Sequence, residues 1–211
     1  VSGSVLDDAG QPLSDVQLKF YDVTTLGSPR QATTHDHTDA AGQYAIHLPP
    51  GTYDVIVEPP AGKNDLTRKL PSVGIGFSFA MGAIQLDAGV PIHGHLTRPG
   101  GAAAVNVNIN VVESTTRASQ LLSHDSSNRD GDFTVVVPPG TYDIEYDPTA
   151  CSGLAPAMQP LQVVNAATTA PSLALVNGVH ALGTILDSGA LPVPNVDLDF
   201  YIAGTSTKIY T

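Results

Sequence analysis

Apolar and polar residues alternate with a period of two in segments spread along the whole chain. Val16, Leu18 and Phe20 alternate with Asp15, Gln17, Lys19 and Tyr21. Val107, Ile109 and Val111 alternate in the same way with Asn106, Asn108 and Asn110, and Val196, Leu198 and Phe200 with Asn195, Asp197 and Asp199. Such alternation puts apolar side chains on one face of a half-buried strand and polar ones on the other, whereas a helix would need a period of 3.6. Tyr44, Ile46 and Leu48 answer Tyr53, Val55 and Val57 by the same pattern, as Phe133, Val135 and Val137 answer Tyr142, Ile144 and Tyr146. About seven strands per copy are predicted, in the first over 1–7, 14–22, 30–35, 43–48, 52–58, 67–75 and 78–87, a count that suggests a two-sheet sandwich. The stretches 58–69 and 147–159 are the least regular and read as surface loops.

Repetition sets the domain plan. Pro49-Pro50-Gly51-Thr52-Tyr53-Asp54 recurs as Pro138-Pro139-Gly140-Thr141-Tyr142-Asp143, 89 positions later. A strand centred on Gly3, Gly94 or Gly183 opens each copy, and twelve residues on comes Asp15-Val16, Asn106-Val107 or Asn195-Val196. A period near 90 is a whole domain rather than a solenoid turn. Three units follow: repeat 1 over 1–90, repeat 2 over 91–179, and the opening strands of an incomplete repeat 3 over 180–211. The fold class is all-β: tandem seven-stranded Greek-key β-sandwiches with the third copy incomplete. Pro-Pro-Gly-Thr-Tyr is expected to form a hairpin with a type II turn, Gly supplying a positive φ. Short linkers at 87–91 and 177–179 are expected to hold the modules in an extended row. Strands around 182–187 and 195–202 and near Lys208 leave the third copy without an opposing sheet, so the polypeptide is expected to continue for roughly 60 residues beyond Thr211.

Composition narrows the function. Gly and Pro number 20 and 17 in 211 residues, too many for a helical chain. Nine Lys and Arg stand against 20 Asp and Glu, a net charge of −11, which argues against a nucleic-acid partner and a polybasic membrane anchor. No apolar run approaches the roughly 20 residues that span a bilayer. Cys151 is the single cysteine, so it pairs with another chain or stands as a small unpaired residue.

Candidate chemistry is sparse. The zinc-protease H-E-x-x-H, the nucleophile elbow and the P-loop are absent, and Gly74-Ile75-Gly76 lacks the third glycine of a dinucleotide fingerprint. No catalytic or cofactor-binding residue is predicted, and the chain is not read as an enzyme. His35-Asp36-His37-Thr38-Asp39 is the densest cluster, and His124-Asp125 repeats its first pair. His35, Asp36, His124 and Asp125 are therefore the candidate metal ligands, carboxylates suiting calcium and imidazoles zinc or copper. The competing reading is that these residues only cap turns. His93 and His95 lie two apart on one strand and share a face; they could ligate a metal, face solvent or pack between domains.

Gly3, Val5, Asp7, Gly10, Pro12, Leu13, Val16 and Leu18, then Thr38-Asp39, Gly42, Tyr44 and Pro49 to Tyr53, resemble the carboxypeptidase regulatory-like repeat. The resemblance covers copies one and two and the start of copy three, and implies a transthyretin-like seven-stranded sandwich. Related collagen-adhesin B-type modules often carry a Lys–Asn or Lys–Asp isopeptide bond. Residues 1–7 and 92–112 contain no Lys, so that crosslink is not expected here. Modules of this kind serve as stalks, spacers, adhesins, carbohydrate binders or accessory domains. The leading expectation is an extracellular structural repeat protein, secreted or at the cell surface, forming a segment of a stalk, fibre or array. Its partners would then be further copies of itself or neighbouring repeats. The alternatives are a loop-mediated carbohydrate- or protein-binding adhesive module, or a non-catalytic accessory region of a secreted hydrolase.

Overall fold

The computed structural model describes residues 1–77, 79–179, 182–198, 200, 201, 204, 208 and 209. It is all-β, with no α-helix among the described residues and one short 3-10 turn at Ala150–Ser152. In copy one, β1 (Ser2–Leu6), β3 (Gln43–Ala45) and β6 (Ala80–Gln85) form one sheet, ordered β3-β1-β6. β2 (Gln17–Asp22), β4 (Gly51–Glu58) and β5 (Arg68–Ile75) form the other, ordered β2-β4-β5. In copy two, β7 (Val90–Thr97) pairs with β9 (Asp132–Val137) on one side and with the short β12 (Thr168–Thr169) and β13 (Leu173–Ala174) on the other. β8 (Val107–Glu113), β10 (Gly140–Pro148) and β11 (Ala157–Val164) form its second sheet. The copies thus share one plan, with β12 and β13 in the place of β6.

The alternating rows do what their pattern requires. Phe20, Tyr44 and Tyr53 are buried in the core of copy one, and Val111, Phe133 and Tyr142 in that of copy two. Thr38 and Ser127, polar yet buried, make the same pair of bonds in both copies. Each hydroxyl accepts from the amide of Val16 or Val107 at 2.9 Å and donates to the carbonyl of Leu13 or Ala104 at 2.6 Å. Both lone-pair and proton demands are met, which is why burial is tolerated.

Two expectations about local structure need correction. Residues 30–35 do not form a strand: the segment makes an isolated bridge, Tyr21 to Arg30, and ends at His35 in a left-handed turn (φ 59°). Its one apolar residue, Ala32, is exposed, so nothing anchors it to the core. Copy one therefore rests on two three-stranded sheets, and copy two on a three-stranded and a four-stranded sheet, each supplemented by bridges. The Pro-Pro-Gly-Thr-Tyr element is not a hairpin, because β3 and β4 belong to opposite sheets, and Gly51 and Gly140 do not take a positive φ. The segment carries the chain across the sandwich. Tyr53 and Tyr142 donate their hydroxyls back to the carbonyls of Pro49 and Pro138, both at 2.9 Å. A Cβ on Gly51 would lie 3.1 Å from the Tyr53 hydroxyl, and one on Gly140 2.8 Å from that of Tyr142. Glycine makes room for the returning ring.

The third copy repeats the opening turn geometry, but the expected strand at 182–187 is not formed: the segment makes only the isolated Leu186–Pro192 bridge. Asp187 donates its amide to Leu191 at 2.9 Å, as Asp7 does to Gln11 at 2.8 Å and Arg98 to Ala102 at 2.7 Å. Asp15, Asn106 and Asn195 all take left-handed φ, 62°, 56° and 56°. Val196 and Leu198 are exposed, whereas Val16 and Leu18 are fully buried. β14 (Phe200–Tyr201) and β15 (Lys208–Ile209) pair antiparallel. The expected strand at 195–202 is thus seen only at its end; Asp199, Ile202 and Thr211 lie outside the described residues.

Candidate interaction site at the repeat junction

The loops that looked least regular in the sequence hold the junctions. In copy one, Gly89 donates its amide to Asn64 O at 2.6 Å and Leu66 donates to Asp87 O at 2.8 Å, flanking a bridge between Asp65 and Ala88. In copy two, 89 residues on, Gly178 donates to Gly153 O at 2.9 Å and Ala155 to Val176 O at 2.9 Å around a Leu154–Asn177 bridge. Each module thus pins its own exit segment with backbone hydrogen bonds, immediately after a buried leucine, Leu86 or Leu175. A Cβ on Gly89 would lie 2.5 Å from both Leu66 Cδ2 of copy one and Val136 Cγ1 of copy two. Any larger residue would have to displace the Leu66 and Val136 side chains where the two modules close on the linker.

Beside this clamp lies a cleft of about 360 Å³, walled by residues 59–65 of copy one and by His93, His124, Asp132 and Thr134 of copy two among others. His124 Nε2 lies 3.1 Å from Pro59 O, a hydrogen bond that ties the modules directly. Asp65 lines the cleft yet is only 7% exposed. Burial, then repulsion from Asp7 and Asp8, pushes its carboxyl above the usual range. Its counterpart Leu154 belongs to the apolar core of copy two. Copy one therefore places a charge where the repeat otherwise places a leucine.

The four residues singled out as metal candidates fall into two equivalent turns. His35 and His124 are left-handed, with φ of 59° and 53°. The following carbonyls, of Asp36 and Asp125, accept from Leu18 at 2.8 Å and Ile109 at 2.6 Å. Asp36 is surrounded by donors: Gln17 Nε2 at 3.3 Å, Arg30 Nη2 at 3.2 Å, Thr33 Oγ1 at 3.2 Å and His37 Nδ1 at 3.0 Å. Partial burial pushes its carboxyl up, but the bonds from Gln17, Thr33 and His37 outweigh it and hold it below the usual range. Asp39 and its counterpart Asn128 cap the next turn, each accepting two amides at 2.9–3.0 Å. Among the described residues no three His, Cys, Asp or Glu side chains converge as a closed metal site requires. Cys151 is exposed on the 3-10 turn of copy two's clamp loop. Sequence reasoning missed the clamp, whose trace was the 89-residue spacing between Asp65-Leu66 and Leu154-Ala155.

No family model matches the chain, and no curated protein matches it. Solved structures do resemble its fold. The Streptococcal ancillary pilin aligns at 16% identity over 85% of this chain and 62% of its own, with a TM-score of 0.36. The shaft pilin SpaA from Lactobacillus rhamnosus GG aligns at 12% identity over 86% and 98%, TM-score 0.36. The group B streptococcus pilus 2b backbone protein aligns at 12% over 78% and 79%, TM-score 0.32. The chain thus spans less than two thirds of the first of these. No helix among the described residues is long and apolar enough to cross a membrane.

Proposed function

We propose that this chain is a structural repeat segment of an extracellular stalk, fibre or surface array, built from modules of the carboxypeptidase regulatory-like kind joined end to end. One observation carries the reading: the clamp on the exit segment recurs after 89 residues with the same donors, acceptors and bridge. A chain selected only to keep two binding domains tethered needs no such clamp, since a flexible linker suffices. Fixing the exit of every module propagates one orientation along an array, as a load-bearing or spacing element requires. The acidic surface keeps such arrays soluble and mutually repelling. Further copies of the chain, or neighbouring repeats, are its partners.

Negative-stain microscopy of the native material tests this. Uniform rows of beads, one for each 89-residue period, are expected. Isolated compact particles would contradict it.

A further inference from the structure

The outer face of β7 in copy two carries a feature that the repeat does not need. His93 and His95 flank Gly94, whose missing Cβ leaves room for the Phe133 ring on the core side. That packing accompanies a β7–β9 register in which His93 faces Thr134 and His95 faces Asp132. Copy one has the same arrangement around Gly3 and Tyr44, but with Ser2 facing Ala45 and Ser4 facing Gln43. Copy three has Leu182 and Thr184 in these places. The imidazoles, with their polar cross-strand partners, are therefore an addition to a fold that forms without them.

Both rings are held by the same nitrogen. His95 Nδ1 lies 2.7 Å from Asp132 Oδ1, and His93 Nδ1 lies 2.9 Å from Thr134 Oγ1. An ionised carboxylate only accepts, so His95 Nδ1 carries the proton, and in the neutral ring the lone pair lies on Nε2. The Thr134 hydroxyl can accept as well as donate, and so supports the same tautomer in His93. Metal-ligating histidines are oriented in this way, one ring nitrogen bonded to a carboxylate or hydroxyl and the other left to the ion. Residues two apart on a strand share a face and lie about 6.5 Å apart. Both side chains are solvent-accessible.

We propose that the outer face of β7 binds a divalent transition metal of the zinc, copper or nickel class. His93 Nε2 and His95 Nε2 are its two protein ligands, Thr134 and Asp132 are positioning residues, and water or an exogenous ligand fills the open positions. Imidazole nitrogens suit these ions, with zinc–nitrogen distances of about 2.0–2.1 Å. The site is distinct from the His35-Asp36 turn; His93 shares the junction cleft with His124, whose Nε2 is engaged by Pro59 O.

Zinc chloride titrated into the full chain, followed by calorimetry and by long-range proton–nitrogen NMR of the imidazoles, tests the proposal. One zinc should bind per chain, shifting Nε2 of His93 and His95 while Nδ1 stays protonated. His93→Gln and His95→Gln should each weaken binding at least tenfold. Asp132→Ala should weaken it about 10- to 100-fold with an unchanged melting temperature, which separates positioning from a merely structural role. His37→Gln and Cys151→Ser should leave the affinity as it is. Unchanged affinity in the His93→Gln, His95→Gln double variant, zinc-dependent shifts only at His35, His37 or His124, or no binding at all would each overturn it.

Discussion

Replacing Asp65 by leucine should stabilise the first module. Asp65 is 7% exposed, and the equivalent leucine in copy two is 8% exposed within the apolar core. Burying a leucine is worth about 1.5–3 kcal/mol. Because Asp65 lines the cleft, part of the new side chain will stay in contact with water, and a net gain of about 1–2 kcal/mol is expected at neutral pH. The pH dependence carries the mechanism. Burial and the neighbouring Asp7 and Asp8 raise the Asp65 carboxyl in the fold, so the folded chain holds that proton more tightly than the unfolded one. Stability is therefore lost as pH rises from the unfolded value, about 3.9, through the raised folded value, and the penalty persists above it. The advantage of Asp65→Leu over the parent should be smallest in acid, grow across this window and level off above it. Asp65→Asn should remove the pH dependence without the full apolar gain. Hydrogen–deuterium exchange of β1–β6 amides across a pH series reads the first module separately from the second. A variant less stable than the parent at pH 7, or an advantage independent of pH, would refute the reasoning.

Phe133→Ala should cost copy two about 3–5 kcal/mol, seen as a lower urea midpoint for that module alone, since the ring is 4% exposed in its core. Tyr53→Phe and Tyr142→Phe each delete one hydroxyl bond to a proline carbonyl and should cost about 0.5–1.5 kcal/mol by chemical denaturation, in the module concerned. Chelators should not lower the melting temperature of either module, as the two apolar cores and their strand ladders do not depend on an ion; a large drop in a calorimetric scan would count against this.

The strands and cores were legible because alternation and burial are the same fact seen twice. Val16, Leu18 and Phe20 are all fully buried, as their spacing requires. Residues 30–35 misled because extended, Thr-rich sequence looks strand-like, while a lasting strand also needs an apolar anchor that Ala32 does not give. Pro-Pro-Gly-Thr-Tyr suited a type II turn equally well. Only knowing that β3 and β4 lie in different sheets shows that glycine yields space to tyrosine. The clamp left almost no trace because backbone hydrogen bonds accept nearly any side chain, so Asp65 and Leu154 did not look related. His93 and His95 could be placed on one face from their spacing, but Thr134 and Asp132 became their partners only through the β7–β9 register.

The central claim is that the clamp fixes each module's orientation on the next. Spin labels at exposed Ala40 and Arg129, in a Cys151→Ser background, allow pulsed electron resonance to measure distances between the two modules. The account predicts one narrow distance distribution in the parent, broadened by Gly89→Val, whose side chain must push Leu66 and Val136 apart. A broad distribution in the parent would contradict it.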